Sequence, residues 1–278
     1  MNLSEVMADI ERRAAERNAE REGDYYKDGL LMCGRCRTPK QTRINLMGIE
    51  KTVFCICRCG QEEERREAER IKAEDEALQK KRLREDLGEM ANCTFDRDDG
   101  KNDYLTGIAK RYVEHFTEVL EDGKGLLLFG NCGTGKTYIA ACICNALIDR
   151  GYTCAMTSFV RVTNDLFGMS SGRNDYIDRL MSNDLLVIDD LAAERETDYM
   201  NEIVTSVIDA RCKTKKPLIV TTNLTAEQLK RTGDIRKQRI YSRLFEMCIP
   251  IEVKGEDRRR NTLISDYNRF SEILGLRR

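Results

Sequence analysis

The sequence predicts an α/β protein in which a parallel β-sheet sandwiched by helices follows a small cysteine module and a helical linker. Three observations predict this fold class: short apolar runs alternate with long helical patterns after residue 92, a glycine-rich loop joins one run to the next helix, and two closely spaced groups of cysteines precede residue 60. The 278 residues are enough for one domain of ordinary size and a smaller module.

Composition narrows the classes of function. The chain has 47 Lys and Arg against 48 Asp and Glu, a formal net charge of −1, so the overall balance does not indicate a duplex-DNA binder or an anionic membrane partner. No apolar run approaches the roughly 20 residues that cross a bilayer, and the N-terminus is charged rather than signal-like. We expect a cytoplasmic protein with no membrane partner, in which any nucleic-acid site is a local patch.

The first predicted region, residues 1–29, begins with an amphipathic helix. Its narrow apolar stripe recurs at helical spacing on an otherwise polar segment and consists of Leu3, Val6, Met7 and Ile10. A partner or the rest of the chain must cover that stripe.

Residues 30–60 carry five thiols that predict a zinc-binding module. Cys33 and Cys36 form one close pair, and Cys55, Cys57 and Cys59 follow after a short loop. Two such groups suit tetrahedral zinc. We favour Cys57 and Cys59 as the second pair, because Cys55 ends an apolar run and can point into the core. A redox pair, buried thiols and an iron–sulfur cluster are the alternatives.

The third region, residues 61–91, is predicted to be a charged helical linker. It consists almost entirely of Glu, Lys, Arg, Asp and Ala up to Leu87, without Gly or Pro before Gly88. Its sparse apolar positions do not keep a heptad register, which disfavours a coiled coil.

Residues 92–278 form the predicted main domain. The strand candidates are residues 126–129, 154–157, 185–188, 218–222 and 249–253. Because helical patterns separate them, they predict a parallel sheet covered by helices.

The most specific motif is a phosphate-binding loop between the strand at 126–129 and a helix-like stretch. The loop consists of Gly130, Asn131, Cys132, Gly133, Thr134, Gly135, Lys136 and Thr137. Its glycines let successive N–H groups point at phosphates, Lys136 can reach the β and γ phosphates, and the Thr137 hydroxyl can bind Mg²⁺. The motif predicts a nucleotide site.

Two further strands end in polar residues that complete such a site. Asp189 and Asp190 follow the apolar run 185–188, and Asn223 follows 218–222. Asp189 is expected to hold Mg²⁺, and Asp190 to orient or deprotonate the attacking water, where Glu is the usual residue. Asn223 is either a turn residue or a hydrogen-bond donor to water or the γ-phosphate.

A candidate single-stranded DNA contact lies between the second and third strands. Phe159 offers a ring for base stacking and Arg161 a charge for phosphate, although both also suit a core or a solvated helix face.

The segments GLLLFGNCGTGKT, LLVIDDL, PLIVTTNL and RIYSRLFEMC, in this order, resemble the AAA+ ATPases of the DnaC and DnaI type that load bacterial and phage replicative helicases. The IstB-like transposition ATPases share this core. The resemblance covers most of residues 92–262 and implies an ATPase that uses ATP and Mg²⁺, with catalytic roles for Lys136, Asp189, Asp190 and Asn223.

The resemblance also implies residues that the motifs alone do not assign. Arg243 stands where such proteins place an arginine finger that reaches the ATP of a neighbouring subunit, and Arg259 matches the second sensor, with Arg258 and Arg260 as substitutes. Self-assembly through the ATP sites follows from an arginine finger. A zinc module before the ATPase is similar to that of DnaI-type loaders, where it grips the helicase.

Three functions are consistent with the sequence. The first is an ATP-controlled loader that binds a hexameric replicative helicase through residues 1–87 and places it on single-stranded DNA. The others are an IstB-like regulator of a transposase and a non-hydrolysing ATP-binding adaptor, the latter because Asp190 stands where Glu is usual.

Overall fold

The computed structural model describes residues 20–46, 48–191, 197–258, 267 and 269–276. The chain divides into two compact units, Met1–Ala77 and Leu78–Arg278. Of the predicted N-terminal helical region, residues 1–29, residues 1–19 lie outside the described residues. The described remainder is not helical, because it turns and then forms the strand Tyr25–Lys27. In the described part of the chain, no helix is both long and apolar enough to cross a membrane.

The smaller unit contains two antiparallel hairpins. Strands β1 (Tyr25–Lys27) and β2 (Leu30–Met32) pair in one, and β3 (Gln41–Leu46) and β4 (Ile49–Phe54) pair in the other. Asp28 and Gly29 join the first pair with φ angles of 52° and 75°. Positive φ at both turn residues matches the twist of the flanking strands, which explains the Asp-Gly sequence.

Helix α1 (Arg58–Leu87) is a single 30-residue helix that includes most of the predicted linker. Ion pairs between residues four apart recur along its exposed surface, such as Arg58 with Glu62 and Lys81 with Glu85. Each exposed pair of this kind stabilises a helix by only about 0.3–0.5 kcal/mol, but several act together where apolar contacts are few.

The larger unit has the predicted α/β fold. Its strands are β5 (Gly125–Phe129), β6 (Cys154–Ser158), β7 (Leu185–Leu191), β8 (Leu218–Thr222) and β9 (Cys248–Glu252). They form one parallel sheet in the order β6-β7-β8-β5-β9. Its helices are α2 (Asp103–Glu114), α3 (Phe116–Asp122), α4 (Lys136–Asp149), α5 (Phe159–Gly168), α6 (Arg173–Ser182), α7 (Asp198–Thr214), α8 (Ala226–Lys230) and α9 (Ile235–Met247).

Both faces of the sheet are buried. Alternate residues of each strand point to opposite faces, so Leu127 and Leu186 belong to one apolar cluster while Leu126 and Leu128 belong to the other. Helices α5, α7 and α9 contribute to the first cluster, and α2 and α4 to the second. This double burial explains why the strands read as continuous apolar runs.

The buried cation Arg211 links several elements on the side of the sheet that carries the first apolar cluster. Arg211 is fully buried and donates hydrogen bonds to the carbonyl oxygens of Met181, Asn183, Asp184 and Pro217 at 2.7–3.1 Å. Burial lowers its pKa to about 10, so it stays charged at neutral pH. These bonds connect α7 with the segments that lead into β7 and β8.

Candidate nucleotide site and cysteine centre

The glycine-rich loop joins the carboxyl end of β5 to the first turn of α4. Gly135 caps α4 with a φ of 94°, a left-handed conformation that side chains other than glycine rarely adopt. At Gly133, where φ is 73°, a Cβ would lie 1.8 Å from Asp257 Oδ1. A side chain at either position would therefore force the loop to change its shape.

Lys136 lies over this loop. Its Nζ donates hydrogen bonds to the carbonyl oxygens of Gly130 (2.9 Å) and Asn131 (2.6 Å), and the residue is only 6% exposed. The loop therefore holds an ammonium group beside the N-terminus of α4, where the partial positive charge of the helix end also favours an anion.

Hydroxyl and carboxylate oxygens meet beside the loop at the ends of β7 and β8. Asp189 Oδ1 accepts hydrogen bonds from Thr137 Oγ1 (2.8 Å) and Thr221 Oγ1 (2.6 Å). Such oxygens are the ligands that Mg²⁺ prefers. Sequence reasoning paired Thr137 with Asp189 but missed Thr221, whose place beside them depends on the pairing of β7 with β8.

Asp190 lies at a bulge in β7. The strand continues through both aspartates to Leu191, rather than ending at Ile188, and its register against β8 shifts between Ile188 and Leu191. At Asp190 φ is 57°, its N–H donates to Thr221 Oγ1 (2.9 Å), and its Oδ1 accepts from Asn223 Nδ2 (2.8 Å). Asp tolerates this left-handed conformation better than most residues, and the bulge reorients its carboxylate.

These groups line one cavity of about 480 Å³. Its wall also includes residues from the segment that precedes α2, which sequence reasoning did not assign to the site, and its lining residues there are Met90, Cys93, Arg97, Asp98 and Asp99. The volume suits a small-molecule ligand.

Arg258 contributes a second guanidinium, besides that of Arg97, to the lining of this cavity. Its backbone N–H donates to the Gly133 carbonyl (3.0 Å), and its side-chain Nη1 lies 2.8 Å from Asp99 Oδ1. The guanidinium lies 3.1–3.4 Å from where a Cβ on Gly135 would stand. Arg259, the residue expected from the resemblance as second sensor, lies outside the described residues.

Four cysteines of the smaller unit form a second candidate site. The sulfurs of Cys33, Cys36, Cys57 and Cys59 all lie within 4.8 Å of one another. Cys59 Sγ is 3.5 Å from Cys33 Sγ and 3.4 Å from Cys57 Sγ, close to the roughly 3.8 Å between thiolates around tetrahedral zinc. Cys55 lies apart, with its thiol donating to the Pro39 carbonyl (3.5 Å).

Crowding affects the ionisation of these thiols. Contacts with the sulfurs of Cys57, Cys33 and Cys36 raise the pKa of Cys59 to about 12. Four close thiolates repel one another unless a cation neutralises them, so the donor set fits a bound Zn²⁺.

A family model described as IstB-like ATP binding protein matches residues 64–265, more than half of the chain. The chain belongs to this family. Its parallel sheet, flanking helices and phosphate loop form a P-loop AAA+ fold.

Individual relatives are similar over part of the chain. The replicative helicase loader DnaC of Buchnera aphidicola subsp. Acyrthosiphon pisum is 29% identical over 182 residues, 61% of this chain and 72% of that protein. The replicative helicase loader DnaI of Bacillus subtilis is 26% identical over 166 residues, 52% of this chain and 53% of that protein. The chain in a crystal structure of DnaI is 26% identical to this chain and superposes with a TM-score of 0.51. The match covers 61% of this chain and 92% of the DnaI chain.

In this IstB-like chain, Arg243 lies on the exposed side of α9. Its Nη1 is 2.9 Å from Glu246 Oε2, and its Nε is 3.6 Å from Asp209 Oδ1. The hydrogen bond with Glu246 raises the pKa of Arg243. The guanidinium is therefore at the surface, away from the cavity of its own chain.

The two residues expected to contact single-stranded DNA differ in exposure. Phe159 is 1% exposed and packs in the apolar cluster that includes Val162 and Leu186, so it offers no face for a base. The expectation for Phe159 was wrong because the ring fills the core under α5. Arg161, on the same helix, is exposed.

Proposed function

We propose that this protein is an ATP-hydrolysing loader that binds a hexameric replicative helicase and places it on single-stranded DNA. One observation carries the ATPase part: the Thr137 hydroxyl and the carboxylates of Asp189 and Asp190 line one cavity beside the phosphate loop, at the ends of β7 and β8. The loader part is supported by relatives that are themselves replicative helicase loaders.

The residues of the loop and strand ends have separate roles in the proposed reaction. The loop N–H groups and Lys136 bind the β and γ phosphates, and Thr137 with Asp189 would hold Mg²⁺. A Mg²⁺ ion held there would supply positive charge that neutralises the phosphate oxygens during hydrolysis.

Asp190, which lies at the bulge in β7, has a third role, the orientation of the attacking water. Asn223 Nδ2 holds one carboxylate oxygen of Asp190 at 2.8 Å, which leaves the other oxygen to orient a water molecule or accept its proton. Asp190 is the proposed water-orienting residue, and Asn223 fixes its position.

Assembly is part of the proposal because Arg243 is exposed on α9 rather than in its own cavity. An arginine that reaches the nucleotide of a neighbouring subunit makes hydrolysis depend on oligomer formation, since its charge stabilises the transition state only across the interface.

The remaining regions are proposed to bind the partners. Residues 1–87, including the zinc module, are assigned to the helicase. Arg161 is assigned to single-stranded DNA, where an exposed guanidinium can contact phosphate.

The ATPase assignment is tested by turnover in the presence of helicase and single-stranded DNA. Asp189→Ala and Lys136→Ala should each lower kcat/KM by about 100-fold or more, as for the loss of a metal ligand or phosphate contact. Asp175→Ala, which removes an exposed carboxylate of α6, serves as the matched control and should keep wild-type turnover. If wild type bound ATP but turned over no faster than Asp189→Ala, the protein would be an adaptor in which ATP binding alone locks a conformation.

The loader assignment is tested by mass analysis of the complex that the protein forms, with ATP, with the replicative helicase of its own cell or phage. The complex should form with wild type and with Cys55→Ser, and should be lost with Cys33→Ser/Cys36→Ser. If zinc and ATP bind but no complex forms, the loader assignment fails for that helicase.

A further inference from the structure

Thr221 is a buried threonine near the end of β8, and its hydroxyl contacts both aspartates at the end of β7. The residue is 1% exposed. Its Oγ1 donates a hydrogen bond to Asp189 Oδ1 (2.6 Å) and accepts one from the backbone N–H of Asp190 (2.9 Å). A hydroxyl has one proton and two lone pairs, so a single side chain can make both bonds. The hydroxyl therefore links the residue proposed to hold Mg²⁺ with the residue proposed to orient water.

This link spans the bulge in β7. The pairing of β7 with β8 is regular up to Ile188 and resumes at Leu191. Between these two positions β7 contributes Asp189 and Asp190, whereas β8 contributes Thr221 alone. In a regular strand, consecutive side chains point to opposite faces of the sheet. The extra residue breaks this alternation, so that both carboxylates line one cavity.

The bulge requires an unusual backbone conformation at Asp190. Its φ of 57° lies in the left-handed region, and such a conformation persists only where the surrounding contacts enforce it. Among the described residues, Asp190 has no partner in the pairing of β7 with β8. Its N–H bond to Thr221 Oγ1 takes the place of a bond between the strands. Without that hydroxyl, the N–H would lose its acceptor and the backbone would be free to leave the bulged conformation.

Thr221 also fixes the orientation of Asp189. Two hydroxyls donate to Oδ1 of this carboxylate, that of Thr137 at 2.8 Å and that of Thr221. The first belongs to the phosphate loop and the second to the sheet, so two separate elements hold the carboxylate. Threonine suits this position because its branched Cβ restricts rotation about χ1 and so fixes the direction of the hydroxyl.

We propose that Thr221 is a positioning residue for ATP hydrolysis, which keeps the carboxylates of Asp189 and Asp190 directed into one cavity. This inference rests on the proposed ATPase function. Asp189 retains the orientation in which it can hold Mg²⁺, and Asp190 retains the backbone conformation that directs its carboxylate to the attacking water. Thr221 acts through these two residues rather than on the nucleotide.

Thr221→Val is the main test, because valine replaces the hydroxyl by a methyl group and can make neither bond. In the full zinc-loaded chain, with helicase and single-stranded DNA, kcat should fall by about 10-fold to 100-fold, as for the loss of a group that orients a metal-binding carboxylate. The dissociation constant for ATP without added Mg²⁺ should change by less than about twofold, because the phosphate loop and Lys136 are intact.

Metal affinity gives a readout that does not depend on turnover. Mn²⁺, a spectroscopic substitute for Mg²⁺, can be titrated into the ATP-bound chain and followed by electron paramagnetic resonance. Thr221→Val should weaken its binding by about threefold to tenfold, less than at a site made of protein ligands alone, because phosphates supply further ligands.

Thr221→Ser and Thr163→Val separate positioning from stability. Thr221→Ser keeps the hydroxyl and should recover most of the lost kcat and Mn²⁺ affinity. Thr163 is also buried, at 8% exposed, but its hydroxyl donates to the Phe159 carbonyl (2.8 Å) within α5. Thr163→Val should therefore lower the melting temperature, as Thr221→Val does, yet leave kcat and Mn²⁺ affinity unchanged.

If Thr221→Val does not fold, Thr221→Ala and Thr221→Ser repeat the comparison, since they differ by the hydroxyl alone. The inference is overturned if folded Thr221→Val keeps wild-type kcat and Mn²⁺ affinity, or if Thr221→Ser is impaired as strongly as Thr221→Val. In both cases wild type still hydrolyses ATP and the proposed function stands. Absence of turnover in wild type overturns the proposed function, and the inference with it.

Discussion

The two units of this chain achieve folded structures by different means. In the described part of the smaller unit, the buried apolar side chains are Leu31, Cys33 and Cys57, and most residues of β1 and β4 are exposed. The larger unit buries an apolar cluster on each face of its sheet. The fold of the larger unit follows from apolar burial, whereas we expect the smaller unit, which buries few apolar side chains, to depend on its cysteine centre.

The two units also differ in how their buried charged side chains are compensated. In the smaller unit Lys40 and Asp24 form an ion pair at 2.7 Å, with side chains 5% and 4% exposed. In the larger unit Arg211 is surrounded by backbone carbonyls. The Lys40–Asp24 pair joins the segments that precede the two hairpins, which have little core, whereas Arg211 joins elements that are already packed.

Metal removal should give the largest effect and the sharpest contrast. A strong chelator should abolish amide protection in residues 25–54, because structural zinc contributes about 10–16 kcal/mol of apparent binding free energy. Amides of β5, β7 and β8 should stay protected in hydrogen-exchange measurements.

The matched pair for this prediction is Cys36→Ser and Cys55→Ser. The first should abolish zinc binding, while the second should keep one zinc per chain, since the Cys55 sulfur lies outside the cluster. Protected hairpin amides after complete metal removal would show that the module folds without its centre.

Arg211→Met should destabilise the larger unit by about 3 kcal/mol or more, because it leaves several buried carbonyls without donors. Urea unfolding of the sheet measures this change. Lys213→Met, an exposed position on the same helix, should change the free energy of unfolding by less than about 0.5 kcal/mol. Equal effects of the two variants would show that the buried arginine has no special role.

Asn223→Ala tests the strand-end geometry of the larger unit. Without its Nδ2 the Asp190 carboxylate loses its fixed position, so kcat for ATP should fall by about 10-fold to 100-fold while the dissociation constant for ATP changes little. Single-turnover and binding measurements separate the two quantities. Asn174→Ala removes an exposed amide from α6 and serves as the control; a matching fall in that variant would contradict the assignment.

Acid should weaken the ion pair of the smaller unit. The hydrogen bond from Lys40, followed by those from the N–H groups of Gly34 and Arg21, lowers the pKa of Asp24 from 3.8 to about 2. Because the folded-state pKa is lowered, this stabilisation is present above the unfolded pKa and is lost as pH falls toward 2.

The measurement is the difference in melting temperature between wild type and Asp24→Asn, which should shrink between pH 5 and pH 2. A difference that stays constant over this range would show that ionisation of Asp24 does not contribute.

The sequence alone was sufficient for features that depend on local chemistry. The order and spacing of the phosphate loop predicted its place between β5 and α4, and continuous apolar runs predicted the five strands because both faces of the sheet are buried. The preference for Cys57 and Cys59 over Cys55 rested on the apolar residues before Cys55, and the structure groups the sulfurs in the same way.

Tertiary structure decided what depends on contacts between distant segments. The pairing of β7 with β8 brings Thr221 to Asp189 and creates the bulge at Asp190, and burial under α5 removes Phe159 from the surface. Asp98 and Arg258, 160 positions apart in sequence, meet at the phosphate loop. Local patterns determine which residues can bind phosphate or metal, but only long-range packing determines which oxygens and cations share one cavity.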